Sequence, residues 1–226
     1  MITLAVDSTA APASCCVVRD GKIVSEFYSN NGLTHSQTLM PMVEAVLKSA
    51  GITAREVDVF AVSAGPGSFT GVRIGVSLVK GLAFGKAGNT VPVSTLEAMA
   101  RLHIGQKSTV CAVMDARCDQ VYNAIFETTG TDVKRLCEDR AIFIENLREE
   151  IKNKKNVIFV GDGAEMCYNR LKGAPNIALA PEHIRYQRAY GVYLASLDKQ
   201  PVDASALQPV YLRLPQAERE RLKKLT

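Results

Sequence analysis

Hydrophobic and polar positions alternate over Ile2–Asp7, an apolar run follows at 14–18, and after Asp20-Gly21 a third run covers 22–28. Period-two patterning broken by an Asp-Gly turn predicts three antiparallel strands, the second and third joined as a hairpin. Over 36–50 the apolar positions Leu39, Met42, Val43, Val46, Leu47 and Ala50 recur at three and four. This segment is expected to be a helix stopped by Gly51, with Pro41 in an early turn or at a kink. Residues 57–64 form a short apolar run ending in glycines, the pattern of a buried strand, and lead through Gly65-Pro66-Gly67-Ser68-Phe69-Thr70-Gly71 into a second helix at about 70–84. Val91-Pro92-Val93 returns as a strand, and Ser94-Thr95-Leu96-Glu97 has the form of a capping box for a third helix reaching Leu102. After a polar patch the pattern restarts with a hairpin, 109–114 and 120–126. A helix near 142–152, a strand Val157–Val160, the loop Gly161-Asp162-Gly163-Ala164, a short helix near 165–171 and a long one near 181–197 complete the chain. Strands alternate with helices in both halves, so an α/β protein of two similar lobes, 1–104 and 105–226, is expected.

The second helix has an unusual face distribution. Val72, Ile74, Val76, Leu78, Val79, Leu82, Ala83 and Phe84 leave a narrow polar edge carrying Arg73 and Lys80. A helix apolar nearly all round needs cover on more than one side. Gly71, Gly75, Gly81 and Gly85 would each cost about 1 kcal/mol relative to Ala inside a helix. A neighbour approaching closely, either the helix's own sheet or a helix of another chain, would justify that cost.

Composition narrows the class. A chain of 226 residues can bury a core without disulfide or metal staples, and 47% hydrophobic with 22% charged residues excludes a disordered or fibrous protein. The formal charge of +4 is too small to mark a nucleic-acid binder. Of that charge, +3 falls in the last 14 residues, where Arg213, Arg219, Arg221, Lys223 and Lys224 face only Glu218 and Glu220. The nearly neutral body argues against a broad nucleic-acid face and leaves a basic tail able to brush a phosphate backbone. With no basic leader and no long apolar span, a cytoplasmic location, reduced thiols and no membrane contact are expected. Six cysteines without a C-x-x-C and three widely spaced histidines give no local zinc motif.

Candidate chemistry is sparse. Asp7-Ser8-Thr9 ends the first strand as a turn suited to a phosphate or a magnesium-bound water, or equally to a plain Asx turn. Gly65 and Gly67 in the first half, and Gly161 and Gly163 in the second, sit in strand–glycine–helix turns that can present backbone N–H groups to an anion. Neither is a Walker A loop, and a tight turn without ligand is an equal reading; the pair together suits a nucleotide held in a cleft. Cys15 and Cys16 alternate across a strand, so one is expected in the core and one half-buried. Ser68 lacks a G-x-S-x-G setting, His35 beside Ser36 fits an interface or capping role better than a catalytic base, and Asp115-Ala116-Arg117 reads as a local salt link or turn former.

LAVDST…SCCVV, His35-Ser36 ahead of the Leu39 and Pro41 helix, SAGPGSFTGVRIGVSLVKGLAFG, VPVSTLEAMA, MDARCDQVY and QPVYLR together resemble the TsaB (YeaZ) family of tRNA threonylcarbamoyladenosine biosynthesis proteins. The resemblance runs nearly end to end, with 130–197 matching only in outline. It implies a two-lobed actin/sugar kinase/Hsp70-like (ASKHA) fold, with duplicated mixed sheets and flanking helices. It also implies a non-catalytic subunit working with the paralogue TsaD and the ATPase TsaE, which move a threonylcarbamoyl group from its adenylate to the adenosine beside the anticodon of tRNAs reading codons that begin with A. The paralogue carries an H-x-x-x-H metal pair where this chain has Thr95 and Met99, so no metal is expected. Family members pair through the two helices of the first lobe, as a homodimer alone or as a heterodimer with TsaD. On that basis His35, Leu39, Val43, Val46, Val72, Arg73, Val76, Val79, Lys80 and Ala83 are the expected partner interface. No intrinsic cofactor is implied; ATP or ADP would bind only in the complex, at Asp7, Ser8, Thr9, Gly65, Gly67, Gly161 and Gly163, and tRNA would be met indirectly. Two rival readings are an ATP-dependent phosphotransferase of the same superfamily and a peptidase, for which the sequence offers no metal or nucleophile.

Overall fold

Residues 3–7 are buried because β1 (Ile2–Asp7) is covered on both faces, and its neighbours follow from the hairpin pattern. In the computed structural model, which describes residues 1–86, 89–172 and 176–213, β1 pairs antiparallel with β2 (Ala13–Arg19) and β2 with β3 (Lys22–Ser29). The chain then forms α1 (His35–Ser49), β4 (Val59–Gly65), α2 (Phe69–Leu82) and β5 (Thr90–Ser94). β4 lies parallel to β1 and β5 parallel to β4, giving the order β3-β2-β1-β4-β5. A short helix, α3 (Thr95–Arg101), leads to the second sheet.

The second sheet repeats this plan. β6 (Ser108–Asp115) pairs antiparallel with β7 (Gln120–Thr128), and β7 carries two short strands, β8 (Val133–Arg135) and β9 (Arg140–Phe143). Beyond α4 (Ile144–Ile151), β10 (Val157–Val160) lies parallel to β6; after α5 (Ala164–Arg170), β11 (Ile177–Leu179) lies parallel to β10. The order β11-β10-β6-β7-β8 is that of the first sheet with the third-strand position shared by two pieces. This duplicated mixed sheet is the actin, sugar kinase and Hsp70 plan. The chain closes with α6 (Glu182–Arg185) and α7 (Ala189–Ser196).

Five layers result. α1 and α2 cover one face of the first sheet, with Leu39, Val43, Val46, Val72, Val76 and Val79 packed on Leu4, Val6, Cys15 and Val17. The other face meets Ala98 of α3 and Ala189, Val192 and Tyr193 of α7. α3 turns Leu96, Met99 and Ala100 to the second sheet, and α4 and α5 cover that sheet's far side. No helix among the described residues is long and apolar enough to cross a membrane.

Three expectations change. The helix expected over 181–197 is broken, because Tyr186 is extended and Arg188 caps a new helix whose axis returns to the first sheet. Consequently the second lobe does not extend over all of 105–226: α7 packs on β1, β2, β4 and β5, and Leu207 joins the core beneath α1 and α2. The helix expected over 142–152 begins only at Ile144, since residues 140–143 pair with β7 instead.

His103, just beyond α3, is buried, and burial holds its imidazole below the usual histidine range. The folded chain keeps it neutral while the unfolded chain protonates it near pH 6.5, so its contribution is present above that pH and is lost as pH falls. Urea melts at pH 7.5 and 5.5 should show a loss of stability that a His103→Leu chain does not share; equal losses would refute this assignment.

Candidate functional site

The C-terminal ends of β1, β4, β6 and β10 open onto one cleft of about 690 Å³ between the sheets, whose lining includes Thr9, His35, Ser68, Asp115, Asp162 and Tyr211. Asp7, at the end of β1, is buried beneath it, and its oxygens are already engaged. Oδ1 accepts from the Thr9 N–H at 2.9 Å and the Thr9 hydroxyl at 2.8 Å, and Oδ2 accepts from the Ser63 hydroxyl at 2.5 Å. Burial pushes its pKa up, and these hydrogen bonds work against that rise. Of the two readings the sequence leaves open for Asp7-Ser8-Thr9, these bonds make the Asx turn.

The glycines are equally occupied. Ser8 donates to the Gly71 carbonyl at 2.9 Å, and the Ser8 carbonyl lies where a Cβ at Gly71 would stand. Gly67 faces the Thr9 carbonyl; Gly65, at φ +122°, faces that of Val210; Gly161, at φ +102°, faces that of Val113. At Gly163 a Cβ would come within 3.2 Å of the Asp115 nitrogen. Gly65, Gly67, Gly161 and Gly163, read from sequence as anion turns or as tight turns without ligand, let one strand end sit against another segment's backbone. The tight neighbour inferred for the α2 glycines is, at Gly71 and Gly75, the end of the chain's own first strand.

Asp162, on the cleft floor, was not singled out from sequence. Asp162 is solvent-exposed, yet the protein crowded around its carboxyl pushes its pKa up to about 6; the N–H of Asp115 opposes the rise and the Asp115 carboxylate adds to it. His35, at the start of α1, places Nε2 2.6 Å from the Ala10 carbonyl, so the proton resides on that nitrogen, while Nδ1 is buried and finds no partner among the described residues. Cys15 and Cys16 are both fully buried, since α7 covers the face expected to be half open. Burial pushes Cys15 up to about 12 and Cys16 well above the usual thiol range, leaving neither as a thiolate nucleophile at neutral pH.

The expected interface is corrected most. Leu39, Val43, Val46, Val72, Val76, Val79 and Ala83 are all at most 2% exposed and belong to the core on the first sheet, so they offer a second chain almost no surface; of these only Leu39 reaches the groove between the two helices. Lys80 is half-buried. What α1 and α2 present outward is a second apolar stripe, Ile74 and Leu78 beside Met40, with Arg73 and His35 at one end. These line a groove of about 420 Å³. Thr95 and Met99 are fully buried on α3, and Glu97 between them takes three cations, Arg101, Arg135 and Lys199, at 3.0–3.3 Å. Among the described residues no three His, Cys, Asp or Glu side chains gather as a metal-ligand set. The expected basic tail lies outside the described residues except for Arg213.

Residues 23–217 match the family model described as TsaD, tRNA N6-adenosine threonylcarbamoyltransferase. The chain is 33% identical over 193 residues to the tRNA threonylcarbamoyladenosine biosynthesis protein TsaB of Haemophilus influenzae, covering 80% of each chain. It is 28% identical over 223 residues to the protein of the same name from Bacillus subtilis, covering 96% of each. A Pseudomonas aeruginosa crystal structure, described as an uncharacterized protein with similarity to peptidase YEAZ, superposes with a TM-score of 0.78 at 27% identity, over 94% of this chain and 99% of that one.

Proposed function

We propose, from the premise that this chain belongs to the TsaB family of tRNA threonylcarbamoyladenosine biosynthesis proteins, that it is the accessory subunit of a threonylcarbamoyl transfer complex. It makes no bond itself. It docks a TsaD-type partner through the outward face of α1 and α2, and that partner, with TsaE, modifies the adenosine beside the tRNA anticodon. The observation that carries this reading is the groove between the two helices. Ile74 and Leu78 pack against the first-lobe core on one side and line this groove as a half-buried apolar stripe on the other, and Met40 stands 39% exposed beside them. Two further features support it. The carboxyl that a phosphotransferase of this fold would offer to a metal, Asp7, is spent on Thr9 and Ser63. The helix positions where the resemblance puts the paralogue's histidines hold buried Thr95 and Met99.

Reconstitution tests the reading. Threonylcarbamoyl transfer to tRNA, assayed with TsaD, TsaE and the adenylate-forming enzyme, should require this chain; transfer undiminished by its omission would overturn the proposal.

A further inference from the structure

We infer that residues 210–213 are a clasp that joins the two lobes across the cleft and ties its opening to the exposed α1–α2 face, so that a partner seated on that face reaches the cleft through Arg73. Only the partner's identity rests on the function proposed above; the clasp itself belongs to the isolated chain.

The segment is anchored at four points. The Val210 N–H donates to the Ala64 carbonyl at 2.7 Å, and the Val210 carbonyl occupies the space that Gly65 leaves open at the end of β4. The Tyr211 ring stacks on Phe69, in the first turn of α2, with centroids 4.3 Å apart. Its hydroxyl accepts from Arg73 Nε at 2.8 Å, and the same guanidinium lies 3.9 Å over the Phe69 ring. These three anchors belong to the first lobe. The fourth belongs to the second: Arg213 donates to the carbonyls of Ala116 and Arg117 in the β6–β7 turn. Arg117, Cys118 and Asp119 there take three successive positive φ values, 65°, 54° and 57°, a backbone that residues other than glycine rarely adopt. Such a turn persists where its surroundings hold it, and the guanidinium of Arg213 does so at two of its carbonyls.

Four residues span the lobes, so the clasp has little slack: moving either lobe strains either the Tyr211 stack or the Arg213 contacts. Arg73 is the shared element. It holds Tyr211 on one side and forms the end of the α1–α2 groove on the other. A partner that fixes Arg73 fixes Tyr211, and with it the separation of the two lobes.

Hydrogen exchange on the isolated full chain tests this. Arg213→Ala removes the second-lobe anchor. Amides of the β6–β7 turn and also those of the first turn of α2, on the other lobe, should exchange about fivefold to tenfold faster. Acceleration confined to the β6–β7 turn would overturn the inference. Should Arg213→Ala fail to fold, Tyr211→Phe removes only the hydroxyl that accepts from Arg73. It should speed exchange in the β6–β7 turn, and an unchanged turn would count against the clasp. Both readouts need no partner, so failure here is distinct from failure of the reconstitution.

Discussion

A Val79→Glu chain is expected not to fold, whereas Leu78→Glu, one residue away, is expected to fold and lose its partner. Val79 is fully buried in the apolar cluster that holds Leu4, Val6 and Val43, so a carboxylate there would be buried among apolar side chains. Burying an unpaired charge belongs to the few mechanisms that cost more than about 4 kcal/mol, comparable with the whole stability of a marginal domain. Leu78 points into the outward groove, where a carboxylate remains hydrated and costs little, but it puts charge into the apolar stripe a partner must cover. Far-ultraviolet dichroism and thermal melts separate the first outcome, and sedimentation with the TsaD-type partner reads the second. A folded Val79→Glu chain would refute the core placement of that residue, and a Leu78→Glu chain that associates normally would place the interface elsewhere.

Glu97→Ala is the second large effect. The Glu97 carboxylate, 7% exposed, binds Arg101 of its own helix at 3.2 Å, Arg135 of β8 at 3.3 Å and Lys199 beyond α7 at 3.0 Å, so one side chain links three elements from both lobes. Removing it takes a partner from each of three cations. Breaking a fully buried pair costs about 3–5 kcal/mol; here Arg135 and Lys199 are partly hydrated, and Asp139 and Asp198 retain Arg135 and Arg101, so about 2–4 kcal/mol is expected. The pH dependence has a definite sign. Burial alone would raise the Glu97 pKa, but the hydrogen bonds and charges of Lys199, Arg101 and Arg135 outweigh it and hold the group below its ordinary 4.5. Its contribution is therefore complete above pH 4.5 and disappears as pH falls through the lower, folded-state value. Glu97→Gln should melt lower at pH 7 and lose that part of the acid dependence. A melting midpoint unchanged by either substitution would show that the cations are satisfied without it.

Much of the first lobe was legible in the residues. The Asp20-Gly21 turn, the 39-43-46 stripe of α1 and the strand–glycine–helix passage into α2 all act through contacts close in sequence, and the structure follows them. Ser94 does cap α3, accepting from the Glu97 N–H at 3.2 Å, but the Glu97 side chain does not close a capping box because the cations claim it. The third-strand position of the second sheet was not readable: Val133–Arg135 and Arg140–Phe143 are three and four residues long and partly charged, so period two has no room to show. The break after α6 escaped because the apolar spacing of 181–197 continues through it.

For the site, α2 carries two apolar stripes, 72-76-79-83 and 74-78-82, and the sequence does not state which one faces the sheet. Partners decide it: the first stripe meets the matching stripe of α1 over Val6 and Val17, and the second, half-buried, packs only against the edge of that core. Glycines revealed that something approaches closely. They could not reveal that the neighbours were the carbonyls of Ser8, Thr9, Val113 and Val210, which lie tens of residues away along the chain.

The return of α7 to the middle layer also sets the order in which the protein can mature on the ribosome. A nascent chain ending near residue 104 has every strand of its first sheet, yet Ala5, Cys16, Val18, Ala61 and Val91 still await the cover that Ala189, Val192 and Tyr193 bring. The amino-terminal lobe is therefore finished last, after the whole second lobe has been synthesised. Cutting the chain between its lobes would release a sheet with one greasy face rather than a free-standing domain.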